Sequence, residues 1–404
     1  MTEHRRETRA VHPPVIMPEG SRPLGVPIYQ GHVFALDDAD AMADAFQDPD
    51  GAFFYGRMSN PTVRSLEQAV AELEGGADAM ATASGMGAIN AVLMATLRSG
   101  DHVIAQSSLY GGTYALLGDL AERWGVEVDF VSGADPAEVR AALRPRTRLL
   151  YLETIANPST RVGDLPALAA AAREAGVPTV VDNTFAPVLC RPIEHGADIV
   201  VHSMTKYLGG HADVVGGVAV FADSGRHRRV WEHALELGAT LAPHSAWLVL
   251  RGLATLPMRI ARQSETALLL ARRLDAHPAV AAVHHPGLPG HPQHELASRL
   301  LSGGGGGVLS FELEGGREAG RAFIESVRLA SLAASLGAAA TLVLHSASTS
   351  HRRLDAAALR AAGIGAGTVR VAVGLEHPED LWNDIEQALA ATAAAPAAAS
   401  AERA

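Results

Sequence analysis

Apolar and polar positions along the chain fall into three textures. Residues 1–58 carry no sustained helical periodicity and are interrupted by prolines and glycines, which predicts an extended arm rather than a compact domain. From Pro61 to Glu74, Val63, Leu66, Ala69, Val70 and Leu73 recur at the spacing of one helix face, and Gly75-Gly76 ends the pattern. Short apolar runs then alternate with helical stretches. The expected strands are His102 to Ala105, Glu127 to Val131, Arg148 to Glu153, Thr179 to Asp182, Ile199 to His202 and Gly217 to Phe221. Helices such as Gly112 to Trp124 and Leu165 to Ala175 separate them. Strands apolar on both faces with helices between them predict a mostly parallel sheet in an α/β domain over residues 59–256.

The third texture starts near Leu256. A helix from Met258 to Ala276 leads into proline-rich turns, then a strand Gly307 to Leu313. A further strand, Thr368 to Val373, precedes a helix from Pro378 to Ala390, so residues 257–404 read as a smaller C-terminal α+β domain. Its alanine-rich end, 391–404, reads as a frayed tail. No segment repeats.

Composition narrows the class. With 404 residues, 48% of them hydrophobic and 19% charged, the chain can bury a large core. A net charge of −11 argues against a general nucleic-acid binder, which needs a basic face. No apolar run reaches the roughly 18 residues of a membrane span, and no hydrophobic segment follows Met1 to Arg6. A single cysteine, Cys190, forbids an internal disulfide and fits a reducing compartment, so a cytoplasmic enzyme is expected. One count stands apart: Lys206 is the only lysine, and every other basic residue is arginine. Arginine replaces lysine on a surface, but not where the amine must lose its proton and act as a nucleophile.

Several polar groups fall at the C-terminal ends of expected strands. They are Glu153 with Asn157 nearby, Asp182, and Ser203-Met204-Thr205-Lys206. In open α/β sheets ligands bind at that edge. Ser84-Gly85-Met86-Gly87 opens an apolar helix, whose first N–H groups suit an anion. An anion site, a carboxylate and a lone amine together call for a ligand with a phosphate, a basic ring nitrogen and an aldehyde. Pyridoxal 5′-phosphate has all three. Lys206 would take its aldehyde, Asp182 would keep the ring nitrogen protonated, and Ser203, Thr205 and the Ser84 helix would hold its phosphate. Tyr110 could stack on the ring. A dinucleotide loop is disfavoured because Asn90 stands where its third glycine belongs, and no P-loop occurs.

The ordered motifs Tyr55-Gly56-Arg57-Met58-Ser59-Asn60-Pro61-Thr62, Ala83-Ser84-Gly85-Met86 and Glu153-Thr154-Ile155-Ala156-Asn157-Pro158 carry a resemblance. So do Val181-Asp182-Asn183-Thr184, His202-Ser203-Met204-Thr205-Lys206-Tyr207 and Arg370-Val371-Ala372-Val373-Gly374-Leu375-Glu376. From about Thr8 to Ala390 the chain resembles the Cys/Met-metabolism family of pyridoxal-phosphate enzymes, which includes γ-lyases, γ-synthases and sulfhydrylases. The resemblance implies an aspartate-aminotransferase-like fold (PLP fold type I) and a homotetramer of two tight dimers. It implies that Tyr55 and Arg57 reach the neighbouring subunit's cofactor phosphate, and that Gly85 and Met86 supply phosphate-binding amides. It places Asn157 by the cofactor's ring hydroxyl, Arg370 on the substrate carboxylate and Ser335 near that carboxylate.

The expected activity is γ-elimination on a sulfur amino acid, with Lys206 moving the α-proton and Tyr110 the acid for the leaving thiol. The alternative is γ-replacement, as in an O-acylhomoserine sulfhydrylase or a cystathionine γ-synthase. An aminotransferase or aldolase would keep Lys206 and Asp182 but leave the Tyr55 motif unexplained, and a binding protein without activity is the remaining rival. Ala340 stands where many relatives carry a charge, and Gly112 where similar methionine lyases carry cysteine. Phe185-Ala186-Pro187 is one residue short of the family pattern, and Pro286 to His294 with Ser346 to His351 resemble the sulfhydrylases. The histidines 284, 285, 291 and 294 read as a solvated loop without a metal, Gly303 to Gly307 as a flexible turn, and Cys190 as a buried hydrophobe.

Overall fold

A computed structural model describes residues 5–12, 23–47, 51–349 and 364–393. The expected tail lies outside them from residue 394, as do the last two residues of the Ser346 to His351 motif. The chain divides into two compact units. Unit 1 comprises Met1–Thr154 and Gly163–Pro257, and unit 2 comprises Ile155–Val162 and Met258–Ala404. Residues 1–58 therefore fall in unit 1, while eight residues from the middle of the chain fall in unit 2.

Within the stretch read as an arm, two short helices form, α1 (Arg6–Val11) and α2 (Ala39–Gln47). Asp38 Oδ1 accepts the Ala41 N–H at 2.7 Å, and the Phe46 ring lies 4.4 Å from that of Phe54. Helix α3 (Pro61–Glu74) starts where its chemistry dictates. Asn60 Oδ1 accepts from the N–H groups of Thr62 and Val63, Pro61 occupies the first turn, and Gly75 closes the helix at φ 76°. The Asn60 amide donates to Tyr29 O, and the Thr62 hydroxyl bonds both Pro27 O and Tyr29 N. Much of the Tyr55 to Thr62 motif is thus local architecture.

Unit 1 holds a seven-stranded sheet built from β1 (Asp78–Thr82), β2 (His102–Gln106), β3 (Glu127–Val131), β4 (Thr147–Glu153), β5 (Thr179–Asp182), β6 (Ile199–Ser203) and β7 (Gly217–Phe221). The order is β1-β7-β6-β5-β4-β2-β3. Strands β2 to β6 pair in parallel, and β7 runs antiparallel to both β1 and β6. Helices α4 (Gly85–Thr96) and α5 (Gly111–Trp124) cover one part of it, with Val92, Leu93, Val103, Leu117 and Leu149 in the core between. Two differences from the sequence reading have physical reasons. Strand β1 is Asp-Ala-Met-Ala-Thr, with one β-branched residue and no alternation, so nothing local marks it. Strand β3, expected to be buried on both faces, is the sheet edge, where only Val131 of its five residues is buried. Helices α6 (Pro136–Ala142), α7 (Leu165–Glu174), α8 (Ser224–Leu237) and α9 (Pro243–Leu253) complete the unit.

Helix α10 (Leu256–Asp275) carries the chain onward into unit 2. Five strands form its sheet: β8 (Val280–His284), β9 (Val308–Leu313), β10 (Ser331–Leu332), β11 (Leu342–His345) and β12 (Thr368–Ala372), in the order β10-β11-β12-β9-β8. All pairs are antiparallel except β10 with β11. Leu270, Phe311, Phe323, Val369, Val371, Leu381 and Ile385 pack the core, and the rings of Phe311 and Phe323 meet edge to face at 5.3 Å. The histidine segment is not a solvated loop. His285 is fully buried, its Nδ1 accepting the Gly287 N–H and its Nε2 facing Gly306 O at 3.1 Å, and His291 is buried too. The glycine run explains itself here: a Cβ on Gly305 would stand 2.6 Å from His285 Cε1, and Gly303, Gly304 and Gly306 all take positive φ. No described helix is long and apolar enough to cross a membrane.

Candidate active site

In unit 1 the site grows from the C-terminal ends of parallel strands. Ser84 caps α4, its Oγ accepting the Gly87 N–H at 3.0 Å. The first-turn N–H groups of Gly85 and Met86 fall outside the helical ladder and are available to an anion. Two glycines let this helix end approach the strands. A Cβ on Gly85 would lie 2.9 Å from Ser203 Cβ, and a Cβ on Gly217 only 2.1 Å from Ser84 O. Gly217, at the start of β7, was not singled out in the sequence because nothing local distinguishes it.

Ser203 ends β6, and the turn after it carries Thr205 and Lys206, both half-buried. The turn is tied by Lys206 N to Ser203 O at 3.2 Å and by Gly210 N to Lys206 O at 2.8 Å. Thr205, read in the sequence as a phosphate donor, has a hydroxyl that the protein itself engages. Its hydroxyl exchanges hydrogen bonds with the Gly216 main chain, donating to O at 3.3 Å and accepting from N at 3.2 Å.

Asp182 ends β5. Its Oδ1 accepts the Thr184 N–H at 2.9 Å, and the surrounding protein pushes its carboxyl above the usual carboxylate range. The Thr184 hydroxyl and the nearby His202 oppose that rise. Because Asp182 pairs with Val201, strand alternation turns Asn183 and His202 to the other face. There the His202 imidazole meets Glu74 Oε1 at 2.8 Å, and the Asn183 amide donates to the same oxygen at 3.0 Å. These two motif residues lock the strand ends to α3.

Tyr110 precedes α5 and is 48% exposed as a residue, and its N–H donates to Glu153 Oε1 at 2.5 Å. Glu153 had no assigned task in the sequence; here it anchors Tyr110. The Tyr110 ring lies against Gly112, where a Cβ would stand 2.5 Å from its Cε1. Tyr55 and Arg57 lie elsewhere in unit 1, both exposed, with the guanidinium 5.6 Å from the Tyr55 ring centre and donating to Leu235 O at 3.0 Å.

The remaining site residues belong to unit 2. Arg370 sits in the middle of β12 and is buried. It donates to Asn157 Oδ1 at 3.1 Å and to the main-chain oxygen of Ser335 at 2.6 Å. The Ser335 contact is made by its carbonyl, so sequence reasoning named the residue without the atom.

The unit 1 groups fit pyridoxal phosphate. A glycine-lined helix end beside Ser203 matches a phosphate, and a carboxylate strained by burial gains from a protonated nitrogen. Lys206 supplies the only side-chain amine.

Comparisons agree with this donor set. A sequence model described as "Cys/Met metabolism PLP-dependent enzyme" matches residues 7–390. An L-methionine gamma-lyase of Fusobacterium nucleatum subsp. polymorphum is 41% identical over 372 residues, 91% of this chain and 93% of that protein. An O-succinylhomoserine sulfhydrylase of Pseudomonas aeruginosa is 44% identical over 338 residues, 83% of each. Among solved structures, the cystathionine gamma synthase of Xanthomonas oryzae pv. oryzae, in complex with aminoacrylate and cysteine, matches with a TM-score of 0.90 at 39% identity. That match covers 97% of this chain and 99% of that one.

Proposed function

The chain belongs to the Cys/Met-metabolism family of PLP-dependent enzymes, with PLP fold type I, and from that premise we propose that it eliminates the γ-substituent of a sulfur amino acid. With water, methionine would give 2-oxobutanoate, ammonia and methanethiol, and homocysteine would give hydrogen sulfide in place of the thiol. The observation that carries this reading is the sole lysine, on the turn after β6, in a chain that aligns with methionine γ-lyases over more than nine-tenths of its length.

Bound pyridoxal phosphate supplies an electron sink for negative charge at the substrate's α- and β-carbons. The protein's part is to place protons and charge. Asp182 holds the ring nitrogen protonated, while the Gly85 and Met86 amides and Ser203 hold the phosphate; Thr205 braces the turn through Gly216. Asn157 faces the ring hydroxyl. Arg370, which donates to Asn157 Oδ1 and to the main-chain oxygen of Ser335, takes the substrate carboxylate through charge-assisted hydrogen bonds. Lys206 Nζ removes the proton from Cα, and Tyr110 Oη delivers one to the departing sulfur.

The identity to the sulfhydrylase, together with Gly112, favours replacement as the second reading: a thiol or sulfide bonds to the γ-carbon of an acylated homoserine as the Cγ–O bond breaks and the acyl group leaves as its carboxylate. Release of 2-oxobutanoate from L-methionine and L-homocysteine tests the first reading. Thioether or homocysteine formed from O-succinylhomoserine only when thiol or sulfide is added, without 2-oxobutanoate from methionine, would replace it by the second.

The enzyme is further proposed to work as a homo-oligomer, a tetramer of two dimers, with Tyr55 and Arg57 completing the neighbour's phosphate site. The exposed apolar residues Leu24, Val33, Phe46 and Tyr55 support a covered surface in this stretch. Inactive Lys206→Ala and Arg57→Ala subunits, exchanged into mixed dimers, would leave one site intact and regain activity. Proven mixed dimers without recovery would place Arg57 outside the neighbour's site.

A further inference from the structure

No step of the reaction described above uses Glu153, the last residue of β4, which is only 4% exposed. It pairs in register with Asp182 of β5, so the two side chains leave the sheet on the same face. Its main-chain N–H donates to Gln106 Oε1 at 3.1 Å, and the Gln106 amide donates to Ser108 Oγ at 2.9 Å. Its carboxylate takes the Tyr110 N–H at 2.5 Å, while Tyr110 O accepts the Tyr114 N–H at 3.0 Å. The segment from Ser108 to Tyr110 is thus tied to the end of β4 twice, once through Gln106 and once directly. Burial does not fix the Tyr110 ring. The residue is 48% exposed, and the ring rests on Gly112, where a Cβ would stand 2.5 Å from its Cε1 and 3.1 Å from Met86 Sδ.

We propose that Glu153 is a positioning residue for Tyr110: by accepting its N–H, the carboxylate sets where the ring stands against the cofactor. The proposal rests on the reading that Tyr110 stacks on pyridoxal phosphate. A carboxylate that accepts an N–H makes a charge-assisted bond, stronger than one between neutral groups. Buried at a strand end, this acceptor has a fixed place beside Asp182, the group meant for the ring nitrogen. A bond at the backbone nitrogen moves the whole residue with it, so the ring follows the N–H. The paired ends of β4 and β5 thereby set two coordinates of one site, the partner of the ring nitrogen and the stacking ring.

The test is a double-mutant cycle read by titrating apo enzyme with pyridoxal 5′-phosphate. Glu153→Ala and Tyr110→Ala should each bind it about 10-fold more weakly than wild type. The double variant should bind no more weakly than Tyr110→Ala alone, because Glu153 acts only through the ring it places. Glu153→Gln, whose amide oxygen can still accept the N–H, should bind close to wild type. Losses that add in the double variant would show a merely structural role. Glu153→Ala as tight as wild type, or Glu153→Gln as weak as Glu153→Ala, would show that the accepted bond sets nothing. Each of these overturns the proposal. If Glu153→Ala fails to fold, Glu153→Met, which fills the space without a strong acceptor, takes its place in the cycle. Tyr110→Ala that binds like wild type would instead defeat the underlying reading of Tyr110. Wild-type apo enzyme that does not bind would defeat the reading of the cofactor.

Discussion

The groups that carry chemistry in unit 1 stand at the ends of strands, whereas Arg370 of unit 2 stands in the middle of one. The contrast has consequences for how each set is built. At a strand end the side chain is followed by a turn that holds it, as Thr184 holds Asp182 and Gly210 holds the Lys206 turn. A residue inside a strand has its backbone committed to two neighbours, here Leu344 and Ser310. Its side chain must then be oriented by distant segments, Asn157 and Ser335, which lie 213 and 35 positions away. Asp182 and Lys206 are each held by the turn that follows them, whereas Arg370 depends on segments far away in the chain.

The largest effect expected from this division is at Lys206. Lys206→Arg should release no measurable 2-oxobutanoate while the protein unfolds at a temperature close to wild type, because guanidinium stays protonated and is no nucleophile. Turnover by the purified variant would remove Lys206 from the chemistry. Arg370→Lys should act on substrate alone. Loss of the planar two-nitrogen fork should lower kcat/KM by about 10- to 100-fold, mainly through KM, with the affinity for pyridoxal phosphate unchanged. A variant that loses the cofactor instead would break the separation between the two sets.

The smallest effect concerns stability, and the two units should respond to acid with opposite sign. Glu67 of unit 1, between Arg64 and the Ala81 N–H, has its carboxyl pushed up to about 7 by burial. The folded protein therefore takes up that proton before the unfolded chain does, and this contribution to stability rises as pH falls from about 7 toward 4.5. His285 and His291 of unit 2 are pushed down to about 4 by burial, so their contribution falls as pH drops from 6.5 toward 4. Glu67→Gln should raise stability relative to wild type more at pH 7.5 than at pH 5, by up to about 3 kcal/mol. His291→Asn, whose oxygen can still accept the Gln293 N–H, should improve relative to wild type on acidification. Denaturant midpoints at the two pH values measure both, and differences independent of pH would refute the pair.

The same contrast explains what could be read from the sequence. Strands β5, β6 and β7 were legible because apolar residues on both faces, bounded by turns, mark a strand buried within a sheet. Asp182, Ser203 and Lys206 followed from their placement at those ends. Gly217 and Thr184 were not legible, since a glycine opening a strand and a threonine after an aspartate are ordinary until three-dimensional contacts are known. Arg370 and Ser335 came only through resemblance, as did the role of Asn157 and that of Arg57, which by itself reads as a surface charge. The two-residue β10 is too short for any period to register.

The eight residues Ile155–Val162 are counted with unit 2 although unit 1 flanks them on both sides. The ribosome therefore makes Asn157 long before the arginine that will hold it, and the loop must wait through 213 residues of synthesis for its partner. No single cut in the gene separates the units. A fragment ending at Pro257 would keep Asn157 without Arg370, and one starting at Met258 would keep Arg370 without Asn157. Splitting this enzyme into halves that reassociate thus requires the two fragments to exchange a loop, and the break is better placed elsewhere than at the boundary that looks natural on a linear map.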